Sequence, residues 1–312
     1  MHRQTKKHGA IAQLVEQRTE NPCVPSSILG GTTNETANSL DLSKFGESCF
    51  YPRCMDAAAK PIKVSRKSFI GNSCTAFNFS MAMANTFADR IVEFNRNLHY
   101  TGELPEGFQV MNPYLDNPET LQVMEQFYRK YYNDSEPRRF IVGINPSRHG
   151  AGVTGVPFTD TKRLEEVCGI RMTSAHTHEV SSVFMYEMIR EYGGAGKFYR
   201  QFYINSPFPL AIVRQTKEGK WLNANYYDDP TLFRMTENFM IDSLKKHIGL
   251  GLDTSEVFIL GKKNSDYIEK LNRKAKLFGR LTVLEHPRYI QQYKSKDQRS
   301  YIDKYILTLE RS

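Results

Sequence analysis

The stretch over residues 139–160, RFIVGINPSRHGAGVTGVPFTD, constrains the fold more than any other part of the chain. Residues 140–144 are apolar and carry no charge, the pattern of a strand buried on both faces. The run stops at Gly143-Ile144-Asn145-Pro146, and a long loop with Gly150, Gly152 and Gly155 follows. Backbone amides in such a loop can approach a ligand closely. Val156-Pro157-Phe158 closes it, and Thr159 or Asp160 can cap a helix behind it. A buried strand that runs into a polar, glycine-rich loop and then a helix is where an open α/β sheet carries its site.

The rest of the pattern repeats this alternation. Phe87, Ile91, Phe94 and Leu98 recur at helical spacing, with Asn85 as the expected cap. A loop punctuated by Pro and Gly leads to Asn117-Pro118, which opens a helix with Leu121, Met124, Phe127 and Tyr131 on one face. A short helix is expected over residues 162–168, and another over 183–192, capped by Ser182 and ended by Gly193-Gly194. Phe202-Tyr203-Ile204 is a second strand that runs into Asn205-Ser206-Pro207. Residues 210–213 and 221–227 flank a Lys-Glu-Gly turn and read as a hairpin. Asp229-Pro230 starts a long helix to about His247. Residues 257–260 are a third strand, followed by Gly261-Lys262-Lys263-Asn264 and a helix to about Phe278. Residues 281–284 are a fourth, followed by Glu285-His286-Pro287-Arg288, and a helix over 297–309 closes the chain.

Strands that alternate with helices imply a parallel sheet with helices on both faces, so the expected class is α/β. The expected architecture is a three-layer α/β/α sandwich around a central four-stranded parallel sheet. Parallel strands all present their carboxyl ends at one rim. Asn145, Asn205, Lys262 and His286 each follow a strand and should therefore converge. An amide, a second amide, an ammonium and an imidazole at one edge suggest a site.

The net charge is +8 and the isoelectric point about 9.1, which suits a polyanionic partner. No apolar run approaches the length of a membrane span. Of the five cysteines (Cys23, Cys49, Cys54, Cys74 and Cys168) only the last falls in the periodic region. That distribution argues against a disulfide framework, matches no zinc spacing and fits a reducing cytosol. His176 and His178 would share a strand face, but no further ligand set accompanies them, so no metal site is expected. Residues 1–82 are rich in Ser, Thr, Asn and Lys and read as disordered. Within them AIAQLVEQRTENPCVPSSILGG resembles a mistranslated transfer-RNA gene, which suggests a misplaced start codon and a true start at Met55, Met81 or Met83, the last preferred because the periodic sequence begins there; the rival reading is a targeting arm. The expected folded domain is residues 83–312.

GINPSRHGAGVTGVPF resembles the first motif of uracil-DNA glycosylases of the single-strand-selective monofunctional (SMUG) type. That motif reads Gly-Met-Asn-Pro-Gly and then a loop ending Thr-Gly-Val-Pro-Phe. Ile144 here replaces Met, and Ser147 replaces the second Gly. YINSPFPL resembles the second site element of the family, an Asn at a strand end. His286-Pro287 resembles the start of its last motif, His-Pro-Ser-Pro-Arg-Asn, with Arg288-Tyr289-Ile290 in place of the usual tail. The resemblance covers residues 83–312 and is nearest to the bacterial branch of the uracil-DNA glycosylase superfamily.

It implies an enzyme that flips a base out of DNA and hydrolyses its N-glycosidic bond in base excision repair, acting on uracil and on xanthine or another deaminated base. Asn145 would position the water and His286 would stabilise charge on the leaving base. Phe158 would stack on the base, Gly143 and Ile144 would line its pocket, and Asn205 would pair with O4 and N3–H of uracil. Arg148, Lys262, Arg288 and Lys294 would contact DNA phosphates. Tyr289, with Ile290 and Tyr293, would fill the gap left by the flipped base. No metal, cofactor or lyase step is implied. The expected enzyme is a cytoplasmic monomer whose partner is single- or double-stranded DNA, with no membrane. The rival readings are a nucleoside hydrolase or deoxyribosyltransferase on a similar fold, and a non-catalytic single-strand binder.

Overall fold

The computed structural model describes residues 85–311. The expectations for residues 1–82 lie outside the described residues. The first helix, α1 (Phe87–Arg96), is capped by Thr86 rather than by Asn85. The reason is a reciprocal pair: the Thr86 hydroxyl accepts from the Asp89 N–H at 3.1 Å, and the Asp89 carboxylate accepts from the Thr86 N–H at 3.0 Å. Strand β1 (Phe108–Met111) and the single turn α2 (Pro113–Asp116) lie where only a loop was expected. Helix α3 (Pro118–Tyr131) starts as its Asn-Pro pair predicts, the Asn117 side chain accepting from the Glu119 N–H at 3.0 Å.

Strand β2 (Arg138–Val142) opens the main sheet. The glycine loop after it contains a turn of helix, α4 (Ala151–Thr154), and ends at Asp160, which caps α5 (Thr161–Glu166). Helix α6 (Val180–Glu191) begins before Ser182, which caps nothing. The Ser182 hydroxyl instead donates to the buried Asp160 carboxylate at 2.7 Å. After α6 come α7 (Ala195–Gln201), β3 (Phe202–Asn205), the hairpin β4 (Ala211–Gln215) and β5 (Trp221–Ala224), and the long α8 (Pro230–Gly249). The chain continues through β6 (Leu252–Leu260), α9 (Lys262–Ala275), β7 (Arg280–Leu284), α10 (Pro287–Tyr293) and α11 (Gln298–Glu310).

The main sheet is four-stranded in the order β3-β2-β6-β7, and every pair in it is parallel. Strand β3 and the second half of β6 are buried throughout, as strands covered on both faces must be. Helices flank this sheet, giving the expected α/β/α layers. A second, three-stranded sheet in the order β1-β4-β5 is antiparallel. Its β1 escapes sequence reading because it is four residues long and pairs with a strand roughly a hundred positions later. The register decides where the site lies. Val142 faces Asn205 on one side and Ile259 on the other, and Leu260 faces Leu284. The loops that leave these strands therefore emerge side by side.

Candidate active site

The ladder between β2 and β3 runs one step beyond the strands, because the Gly143 N–H donates to the Asn205 carbonyl at 2.8 Å. The Phe158 ring packs against Gly143. A β-carbon there would sit 3.2 Å from a ring carbon, tighter than an ordinary contact, so any larger residue would push the ring outward. Phe158 itself has φ of 53°, a left-handed conformation that costs a bulky residue about 1–2 kcal/mol. The loop is fastened tightly enough to hold it. Tyr114 donates to the Gly155 carbonyl at 2.9 Å, Thr120 to that of Val153 at 2.7 Å, and Thr154 to that of Thr159 at 2.6 Å.

Each candidate polar side chain is oriented by its neighbours. The Asn145 amide donates to the carbonyls of Ala224 at 3.0 Å and Pro146 at 3.3 Å, and its oxygen accepts from the Tyr226 N–H at 3.1 Å. Both N–H groups are used, which leaves one lone pair on Oδ1. The Asn205 oxygen accepts from the Ser206 N–H at 2.9 Å, and its NH₂ donates to the Tyr203 hydroxyl at 2.7 Å. One N–H and one lone pair remain there. His286 stands at the N-cap of α10, and its Nδ1 accepts from the Arg288 N–H at 3.2 Å. The proton is therefore on Nε2. Burial pushes the imidazolium down to about 3, and the nearby Arg288 guanidinium adds to the effect, so the ring is a neutral N–H donor.

These groups share one edge. The rings of Phe158 and His286 are 5.9 Å apart at 48°. Gly261, just past β6, packs against the His286 side chain, where an added β-carbon would come within 3.5 Å. Asn264, fully buried, ties the edge together: it donates to the carbonyls of Gly143 at 3.1 Å and Leu260 at 3.2 Å and accepts from Tyr226 at 2.6 Å. An aromatic platform, two amides with unused valences and a neutral imidazole donor can hold a flat, polar ring and stabilise negative charge on it.

Residues 129–310 match the family described as the Uracil DNA glycosylase superfamily. The chain is also similar to the crystal structure of wild-type Pedobacter heparinus SMUG2, with 47% sequence identity and a TM-score of 0.70. That match covers 72% of this chain and 97% of the other. The chain belongs to the uracil DNA glycosylase superfamily. It is a DNA glycosylase of the SMUG type, a hydrolase of the N-glycosidic bond in DNA repair. A search of curated proteins found no match.

In this glycosylase the substitution of Ser147 for the motif's glycine has a visible consequence. The Ser147 hydroxyl donates to the Glu179 carboxylate at 2.9 Å. Glu179 is buried, and burial raises its carboxyl above the usual range while the nearby Arg288 guanidinium opposes the rise. A β-carbon on Gly150 would collide with that carboxylate, so the loop is moulded around it. Nothing in the sequence singles out Glu179, because its burial and partners come from distant segments. Asn264, Tyr203 and Tyr226 were missed as site residues for the same reason.

The expected DNA-contacting side chains divide. Arg148 and Arg288 are half-buried beside the glycine loop and at the start of α10, and Lys262 is exposed at the first position of α9. Tyr289 and Tyr293 are exposed neighbours one turn apart, their rings 5.7 Å apart, and Lys294 follows them half-buried. Ile290 corrects the expectation. It is fully buried and packs into the core, so it cannot enter a duplex. His178 lies 2.9 Å from an Arg163 nitrogen and 3.6 Å from Asp160, beside a cation rather than in a ligand set. Among the described residues no group of three or more His, Cys, Asp or Glu could hold a metal. None of the helices described is long and apolar enough to cross a membrane.

Proposed function

We propose that the chain excises uracil from DNA by hydrolysis within the cytoplasm, with Asn145 and His286 as its catalytic residues. The flipped base lies along the backbone of Gly143 and Ile144 and stacks on Phe158, a contact worth about 1–3 kcal/mol. Asn205 offers its remaining N–H to O4 and its remaining lone pair to N3–H. Cytosine presents the reverse pattern at those atoms and is rejected.

As the bond from C1′ to N1 lengthens, the electron pair moves into the base and negative charge grows on O2. The Nε2–H of His286 donates to that oxygen. Because the ring is neutral, it stabilises the uracil anion without transferring a proton. Asn145 accepts a hydrogen from a water through its last lone pair, which turns the water oxygen towards C1′. An amide is too weak a base to deprotonate the water, so attack follows bond breaking, and the proton is released once the new C–O bond has formed. Arg148, Lys262, Arg288 and Lys294 hold phosphates, and Tyr289 with Tyr293 occupies the gap in the stack.

The observation that carries this reading is a neutral His286 whose Nδ1 is occupied by the Arg288 N–H and whose ring lies 5.9 Å from that of Phe158. The test is an end-labelled oligonucleotide with a single uracil, incubated with the protein and treated with alkali. Strand scission at the uracil is expected. An intact strand, in both single- and double-stranded form, would remove the reading.

A further inference from the structure

We propose that Tyr203 and His247 are positioning residues that set which way round the Asn205 amide faces, and with it the preference for uracil over cytosine. The proposal rests on Asn205 reading the base, as above.

The argument follows the protons. The Ser206 backbone N–H can only donate, so the Asn205 atom that faces it at 2.9 Å must be the oxygen. The NH₂ group then faces Tyr203, whose hydroxyl accepts at 2.7 Å. Having accepted there, the hydroxyl must send its own proton elsewhere. The group waiting is Nδ1 of His247, 3.3 Å away. That nitrogen can accept only if the His247 proton is on Nε2 and the ring is neutral.

Burial provides the second condition. His247 is fully buried between Phe94, Phe140 and Tyr203, with ring centroids 4.5–5.7 Å away. Desolvation takes its imidazolium down to about 3, against a hydrogen bond to the Ser206 backbone that favours the protonated ring. Burying a polar ring is a cost that an apolar residue would avoid. The Nδ1 acceptor gives the physical reason for a histidine here: it holds the Tyr203 proton away from Asn205.

Without that acceptor the hydroxyl could turn and donate to Asn205. Two donors, Ser206 N–H and Tyr203 O–H, would then compete for one oxygen. The amide would be held less firmly in the orientation that accepts uracil, and the flipped orientation, which matches cytosine, would become accessible.

The experiment compares kcat/KM on single-stranded oligonucleotides that carry one uracil or one cytosine, for the full chain and its variants. His247→Phe and Tyr203→Phe should each lower uracil excision and raise cytosine excision, so that the ratio contracts about tenfold or more. His247→Asn keeps an acceptor near the Nδ1 position and should hold the ratio close to that of the parent chain. Cytosine excision that stays at the parent level in both phenylalanine variants would overturn the proposal, and so would a proportionate fall on both bases. If His247→Phe does not fold, Tyr203→Phe, which loses a single oxygen, decides the matter alone. Failure of the parent chain to release uracil would count against the proposed function. An unchanged ratio in Asn205→Ala would show that Asn205 does not read the base.

Discussion

Asn145 and His286 are each left with a single unused polar valence, and the polarity of that valence determines what each can do. Asn145 retains only an acceptor, so it can hold a water by its hydrogen and direct the oxygen. His286 retains only a donor. Replacing His286 by Ala removes an oxyanion-type donor and should lower kcat about 10²–10³-fold. Asn145→Ala should also slow excision, and gel-shift binding to uracil-free DNA should be retained in both. An unchanged rate in either variant would remove its assigned role. Because burial holds the His286 imidazolium at about 3, protonation would begin to cost activity only far on the acid side. A rate profile between about pH 5 and 8 should therefore show no inflection that disappears in His286→Ala.

Among the elements, the loop from Gly143 to Asp160 is the most constrained. Gly155 sits at φ of 70°, and a β-carbon there would lie 2.7 Å from the Tyr114 ring. Gly155→Ala should cost more than about 1 kcal/mol in urea unfolding, since both the backbone and the packing oppose it. Gly143→Ala acts differently. It presses on the Phe158 ring from 3.2 Å while φ stays allowed, so the expected result is a higher KM for uracil substrate with little loss of stability. A change in stability alone would argue against Phe158 as the stacking platform. Helix α10 has a divided surface: Ile290 anchors it in the core, leaving Tyr289 and Tyr293 outward. The loop before it is pinned by the Tyr305 hydroxyl, which donates to the Glu285 carbonyl, and by Lys304, which reaches the Glu285 carboxylate at 2.8 Å.

Over the whole molecule, basic side chains and buried histidines make measurable contributions. If Arg288 and Lys294 each neutralise a phosphate, replacing either by Ala should lower the slope of log K against log salt by about 0.9 on duplex DNA. A weaker complex with an unchanged slope would place that residue off the backbone. His247 couples stability to pH. Its imidazolium is held at about 3 in the folded chain, against an ordinary value of 6.5. The unfolded chain therefore binds the extra proton first. The stability due to a neutral His247 is complete above about pH 6.5 and is lost as pH falls towards 3, with a slope of up to about 1.4 kcal/mol per pH unit. Melting temperature followed from pH 7 down to about 4 should show this decline, and His247→Phe should make it shallower, the remainder belonging to His286, whose imidazolium is also held at about 3.

Local pattern carried a great deal of this. Apolar strands that stop at Asn or His report a buried parallel sheet with polar ends, because strands covered on both faces admit little else. Parallel strands then require Asn145, Asn205 and His286 to lie at one edge, and the register of β2, β3, β6 and β7 puts them there. The motifs at residues 143–158, 205 and 286 carried the family. The tertiary structure alone decided which valences of those residues remain free. Asn145 is held by Ala224 and Tyr226, and Asn205 by Tyr203 and, behind it, His247. Most of those partners lie some forty or more positions away along the chain, and no periodicity links them. It also decided that Ser147 turns to Glu179 and that Ile290 goes inward while its neighbours face out. Strand spacing is a local property of the backbone, whereas the direction of a hydrogen bond depends on which distant side chain arrives to complete it.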